Sequence, residues 1–359
     1  MLVLYAPPLA PRSAAVAGAV AKAAAERGDK PVVATMLGAG LSVGASRGPG
    51  VADSRADAVD SRADPATSSA GTATSWAGEE GPVVPTFAFP ESAAHALGRV
   101  AAYARWRRQP HGEVPSVDGL AGAEEQVEAW LVDHPSGGDL DVDDTARLLG
   151  SVGVELLAYA VVDGEEAAVA AARRIGYPVA LKATRLARLA KTEAGGVSLD
   201  VHGDDEVRQA YARMVELLGP AMHPALVQAM GPHGPECAVG VHQHPALGSV
   251  VTFGPGALAQ ETVDQLSTRI LSLTDSDAHW LVESSTVGPA VTAEGEGARA
   301  AVEDLLLRVA ALADVVPDVA FVRLNPVIVS RHAGVSITDA RVRLRPWGTT
   351  PEPAIRRLN

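Results

Sequence analysis

The sequence predicts two α-and-β units in series: a small parallel α/β sheet, then a larger α+β unit of helices set against largely antiparallel strands. Three observations carry this. Up to about residue 108, apolar runs alternate with alanine-rich helical stretches, an order that produces a parallel sheet. From about residue 148, several short strands follow one another between a few longer amphipathic helices. Between the two, a Pro/Gly-bearing link covers roughly Gln109 to Leu120.

In the first unit, Leu2 to Tyr5 is a short buried strand, and Ala14 to Glu26 is a helix closed by Gly28. Pro31 to Leu37 is a second apolar strand and Val83 to Phe87 a third. Glu91 to Arg108 is a helix with Leu97, Val100, Ala101 and Ala104 on one stripe and arginines near its end. The stretch 45–80 repeats Asp-Ser-Arg-Ala-Asp at 53–57 and 60–64 and lacks apolar periodicity, so it is expected to be a disordered insertion. Residues 111–147 are expected to be a linker with a helix near Ala123–Leu131, and 346–359 a tail.

In the second unit, Asp163-Gly-Glu-Glu166 is a capping box for a helix that stops at Gly176. Tyr177 to Lys182 is a strand ending in lysine, and Asp204 to Leu218 is a helix turning Val207, Tyr211, Met214 and Leu218 inward. Strands follow at 225–230, 237–242 and 249–253, a helix at 298–313, then strands at 319–324, 326–329 and 334–338.

Composition narrows the function classes. A net charge of −13 argues against a nucleic-acid partner and fits an enzyme that meets anions in one local basic pocket. No run of about 18 apolar residues predicts a membrane span, and the N-terminus breaks at Pro7 and Pro8 without a positive region, unlike a signal peptide. A single cysteine, Cys237, forms no internal disulfide and suits the cytoplasm. The 30 basic residues include only four lysines, and Lys182 and Lys191 lie nine positions apart in one segment. An ammonium is a compact charge suited to a single phosphate oxygen.

Several patterns lack the neighbours that their chemistry needs. Gly38 to Gly44 follows a strand, and Gly44-Ala-Ser46-Arg-Gly48 matches a hydrolase elbow, but no helix follows either. His223, His233, His242 and His244 cluster without a cysteine or acidic pair to complete a zinc set. Cys237 reads as a small buried hydrophobe.

The informative signal is an ordered series: Ile175-Gly-Tyr-Pro-Val-Ala-Leu-Lys182, then Lys191-Thr-Glu-Ala-Gly195-Gly196-Val197. Gln228 follows on a strand, then Glu236, and finally Leu324-Asn325-Pro326 with Asp339-Ala-Arg341 fourteen positions beyond the asparagine. Glycine amides approach phosphate closely, while an amide oxygen and a carboxylate on neighbouring strands are hard ligands suited to magnesium.

On these motifs, Leu148–Leu344 resembles the ATP-grasp domain of the NDP-forming acyl-CoA synthetases, the group that includes ADP-forming acetyl-CoA synthetase (acetate–CoA ligase). Val83–Arg108 looks like the end of that family's flavodoxin-like ligase domain. The resemblance implies a two-lobed fold holding ATP and Mg2+, with Lys182, Lys191, Gly195 and Gly196 at the phosphates. It places Gln228 near the adenine, Glu236 in the nucleotide site, and Asn325 and Asp339 on magnesium. It also implies upstream CoA-binding and phosphohistidine domains, in the same or another chain, through which CoA and an acyl substrate are met. The chain then reads as the C-terminal piece of a larger protein.

Departures from the family pattern set up a rival. Ala190 replaces the loop histidine, Arg323 replaces the acidic residue two before Asn325, and the later glycine pair is Gly254-Pro-Gly-Ala, leaving Glu261 or Gln260 at the acidic position beyond it. Some actinobacterial relatives fuse this region to a protein N-acetyltransferase, and a degraded ligase part there would serve regulation. An unrelated carboxylate–amine ligase fits the fold but not the wording of the motifs.

Overall fold

A computed structural model describes residues 1–5, 13–26, 30–36, 74–76, 84–108, 111–184, 195–244, 247–256 and 266–349. The chain divides into two compact units, Met1–Pro110 and His111–Asn359.

The first unit is a four-stranded sheet of β1 (Leu2–Tyr5), β2 (Val33–Met36), β3 (Thr74–Trp76) and β4 (Val84–Phe87), in the order β1-β2-β4-β3. β1, β2 and β4 are parallel, as the strand–helix–strand order predicts. β3, within the stretch 45–80, is antiparallel to β4. β3 forms one edge of the sheet, with Ser75 opposite Pro85 of β4. The remaining residues of that segment and both Gly-rich patterns lie outside the described residues.

Two helices, Ser13–Glu26 and Pro90–Arg108, complete the unit. The expected apolar stripe of the second is a correction: only Ala93 is buried, and Val100 is 49% exposed. Nineteen helical residues span about 28 Å, whereas four-residue strands cover only about 13 Å, so this sheet can bury just part of the helix.

The second unit opens with helix Leu120–Asp133, β5 (Gly138–Asp139) and helix Val142–Ser151, whose first turn is capped by Asp141 accepting from the Asp144 amide at 2.8 Å. Ala123, Val127, Leu131 and Leu148 of these helices are buried in the unit's main core.

A first lobe follows, with β6 (Tyr159–Val162), β7 (Val179–Ala183), β8 (Val197–Val201) and β9 (Ala225–Ala229) in the order β6-β9-β7-β8, all antiparallel. Alternation assigns its faces. Val162, Val179, Leu181, Ala183 and Val227 pack with Ala168, Val169 and Ala172 of helix Glu165–Ile175 and Val207, Tyr211 and Met214 of helix Asp204–Leu218. Tyr159, Leu226, Gln228, Ala180 and Lys182 occupy the other face. The expected capping box does not form: Gly164 is the N-cap, without a side-chain bond, and the Asp163 carboxylate lies 3.1 Å from His223 Nδ1 instead.

The second lobe is a seven-stranded antiparallel sheet built on β10 (Glu236–His244), β11 (Gly248–Pro255), β12 (Ser267–Ile270), β13 (Val319–Ser330), β14 (Gly334–Ile337) and β15 (Ala340–Leu344), with β5 at one edge. Its inner face, including Val239, Val241, Phe253, Val322, Leu324 and Val342, joins one core with Val302, Leu305, Leu306, Val309 and Leu312 of helix Glu296–Val315. Helices Asp275–Ser284 and Gly288–Ala293 close the same side. The two strands expected at 319–324 and 326–329 are one continuous strand with an irregularity between them.

Candidate functional site

That irregularity organises the site. Cys237 pairs with Val327 and Val239 with Leu324, so Asn325 and Pro326 on β13 oppose the single residue Ala238. Proline offers no amide to the ladder, and a bulge at this point re-aims the neighbouring side chain. On the other side, β14 pairs up to Val327 and β15 begins opposite Leu324, leaving Thr338 and Asp339 beside the bulge. The Asn325 amide donates to the Asp339 carbonyl at 3.0 Å, and the Thr338 amide donates to the Pro326 carbonyl at 3.2 Å. Asn325 and Asp339, fourteen positions apart in sequence, are therefore direct neighbours. Asn325 is buried, and Asp339 is half-buried.

Lys182 reaches this point from the first lobe. Its Nζ donates to Gln228 Oε1 at 2.6 Å and to the Thr338 carbonyl at 2.9 Å. Gln228 is 1% exposed, and its Nε2 lies 3.5 Å from the Leu157 carbonyl, so its amide is held from both ends. Gly196, buried, accepts from the Ala183 amide at 2.9 Å, so the glycine pair ends directly beside Lys182. Gly195 has φ +71°, the left-handed region that glycine enters without strain. Lys191 and Ala190 lie outside the described residues, as do Gln260 and Glu261.

Glu236 opens β10, exposed, opposite Ile328 and two residues past Pro326; its carbonyl accepts from the Gly256 amide at 2.8 Å. A Cβ on Gly256 would come within 2.9 Å of backbone atoms of Glu236 and Cys237, so the Gly254–Gly256 turn approaches β10 as only glycine allows. Cys237 itself is fully buried, and desolvation pushes its thiol up to about 12.

The open face of the second sheet is cationic. Arg323 pairs across strands with Arg341, and both are exposed opposite the Val322–Val342 face. Arg341 and Arg343 share the single carboxylate of Asp139, with Arg341 Nη2 at 2.6 Å and Arg343 Nε at 2.8 Å. Those hydrogen bonds, from Arg343 first and then Arg341, hold the Asp139 carboxyl well below the usual carboxylate range. Arg323 has no carboxylate within ion-pair distance among the described residues. His242, on the same face, is pushed toward its neutral form, chiefly by burial.

Two features here were not legible in the sequence. Thr338 contributes a backbone carbonyl, which carries no side-chain signature. Asp139, some 200 positions before its arginines, sits in a two-residue strand that no periodicity announces.

Two α+β lobes with antiparallel sheets, joined where a strand lysine meets an Asn-Pro bulge, define the ATP-grasp class of fold. The family described as "ATP-grasp domain" matches residues 135–344. Over 205 residues the chain is 34% identical to the ADP-forming acetate–CoA ligase II of Archaeoglobus fulgidus, covering 55% of this chain and 29% of that protein. It is 27% identical to the β subunit of the ADP-forming acetate–CoA ligase I of Pyrococcus furiosus, covering 56% of this chain and 90% of the subunit. Among solved structures, the dinucleotide-forming acetyl-coenzyme A synthetase 1 of Ca. Korarchaeum cryptofilum, in complex with coenzyme A and Ca-AMPCP, aligns with a TM-score of 0.55 at 26% identity. That alignment covers 62% of this chain and all of the other. The chain belongs to the ADP-forming acyl-CoA synthetase family, and residues 135–344 are its ATP-grasp domain.

Proposed function

We propose that the cleft between the two lobes binds an adenine nucleotide, and that the chain is the ATP-binding module of an acyl-CoA ligase. The observation that carries this is Lys182: a half-buried ammonium on a rigid strand, held by Gln228 and by the Thr338 carbonyl next to Asp339. Incoming phosphate exchanges with the neutral carbonyl for this cation, and an ammonium paired with an anionic oxygen is bound more strongly than one paired with a neutral carbonyl. Gln228 lies toward the adenine, Gly195, Gly196 and Lys191 form the phosphate loop, and Glu236 lines the rim. Asn325 and Asp339 face the terminal phosphates. Phosphate then passes to a carrier histidine in a partner domain, and from there toward an acyl group and CoA.

A relative in which the part matching 56% of this chain makes up 90% of a separate β subunit supports a division of labour between chains. The module alone is therefore expected to give no ADP release that depends on a carboxylic acid and CoA together. Release should arise when the CoA-binding and phosphohistidine domains are supplied. Acid- and CoA-dependent ADP release from this chain alone contradicts the reading. A second reading, a nucleotide-binding regulatory module without ligase chemistry, is favoured by Ala190 and Arg323. It predicts nucleotide binding but no ADP release even with those partner domains present.

A further inference from the structure

The ATP-grasp family binds ATP with magnesium, but the described donors of this cleft do not fit a protein-held magnesium ion. Magnesium demands near-octahedral oxygen ligands at about 2.0–2.1 Å and is usually anchored by one or two carboxylates. Among the described residues, no group of three or more His, Cys, Asp or Glu side chains is placed to hold a metal. Asp339 lies beside Asn325, and the position two before Asn325 is Arg323, where a carboxylate would have been a second anionic ligand. Alternation puts Arg323 on the same face of β13 as Asn325, away from buried Val322 and Leu324.

The surrounding charge has the sign that suits an anion. Lys182 meets the bulge from the first lobe, while Arg323, Arg341 and Arg343 line the open face of the second sheet. Against these four cations stand, among the described residues, the carboxylates of Asp139, Asp339 and Glu236, and Asp139 is already engaged by Arg341 and Arg343. This local positive excess stands out in a chain of net charge −13. A guanidinium at a position two residues from Asn325 repels a divalent cation, yet offers a planar fork matched to a phosphate's oxygens.

We infer that this cleft holds the nucleotide's phosphates through Arg323, Arg341 and Lys182, so that ATP binding here does not require magnesium. The inference rests on the nucleotide reading above and adds how the charge of the phosphates is met. Arg323 neutralises the charge that a metal ion otherwise neutralises, and no chemical step is assigned to it.

Calorimetric titration of ATP tests this with the full chain, in EDTA and in magnesium, for wild type, Arg323→Glu, Arg323→Ala and Lys182→Ala. Arg323 is exposed, so its variants should keep the wild-type melting temperature. Wild type is expected to bind with dissociation constants within threefold in the two buffers. In EDTA, Arg323→Ala should bind at least fivefold and Arg323→Glu at least tenfold more weakly, with Arg323→Glu recovering affinity when magnesium is added. If wild-type affinity falls tenfold or more in EDTA, or Arg323→Ala leaves it unchanged there, the inference is overturned. The nucleotide reading survives that result provided Lys182→Ala still weakens binding. If wild type binds ATP in neither buffer, both fall.

Discussion

Lys182 was legible because a lysine at the end of an apolar strand is uncommon in a chain with four lysines, and a strand fixes the direction of its side chain. Its acceptor on the second lobe was not, because Thr338 offers only its backbone. The same limit applies to Asp139, which the sequence leaves as one acidic residue among many. Its role follows from pairing: β15 presents Arg341 and Arg343 on one face, and β5 brings one carboxylate to both. The folded carboxyl titrates below the roughly 3.9 of an unfolded chain. The stabilisation is therefore fully present above about pH 4 and is lost as pH falls from there toward the folded value. Asp139→Asn should lower the melting temperature by about 2–4 °C at pH 7, a modest amount because the group is a third exposed. The difference from wild type should shrink below pH 4, and thermal scans across pH 3–7 would expose a pH-independent difference if the account of Asp139 is wrong.

At the scale of elements, the first lobe was the more readable half. Helix Asp204–Leu218 forms with the expected residues inward, because its 3.6-residue apolar stripe and its sheet agree. Helix Glu165–Ile175 forms too, although the capping box expected for it does not. Local hydrogen bonding is easily outcompeted, here by His223, while the buried stripe of Ala168, Val169 and Ala172 is not. The stripe expected on Pro90–Arg108 failed for a different reason: periodicity shows which face is apolar, not whether a sheet is long enough to cover it. The bulge in β13 was read as a break between two strands, since Pro326 signals interruption without saying that pairing resumes. Gly234 guards the far side of that region. A Cβ there would fall 1.9 Å from the Val329 carbonyl oxygen, close to where the Val329 amide donates to Pro235. Gly234→Ala should cost about 1–3 kcal/mol as β10 and β13 are forced apart. A fall in the urea midpoint with an unchanged slope is the expected result, and an unaltered midpoint would mean the strands yield freely.

Across the whole molecule, the apolar content is unevenly spent. The first unit has a core of three fully buried side chains, Ala21, Ala34 and Val84, with a few partly buried neighbours among the described residues. The second unit joins more than thirty buried residues in its main core and has a separate core in the first lobe. Stability scales with buried apolar area, so the two units should unfold separately, the first unit at the lower temperature. A fragment of residues 111–359 should reproduce the upper calorimetric transition of the full chain. One shared transition, with the fragment unfolded, would contradict this. The aromatic-poor, alanine- and valine-rich composition made the fold class readable through periodicity, and family motifs singled out Lys182, Asn325 and Asp339, which the fold brings to one place. The claim on which the function rests is that an adenine nucleotide enters there and engages Lys182. Titration of ATP into wild type and Lys182→Ala in the same magnesium-containing buffer tests it most directly. One charge-assisted contact is worth about 1.5–3 kcal/mol, one to two decades in affinity, so the variant should bind ATP roughly tenfold to a hundredfold more weakly than wild type. Equal heats and equal affinities for the two proteins, or no binding by wild type at millimolar ATP, would contradict the account.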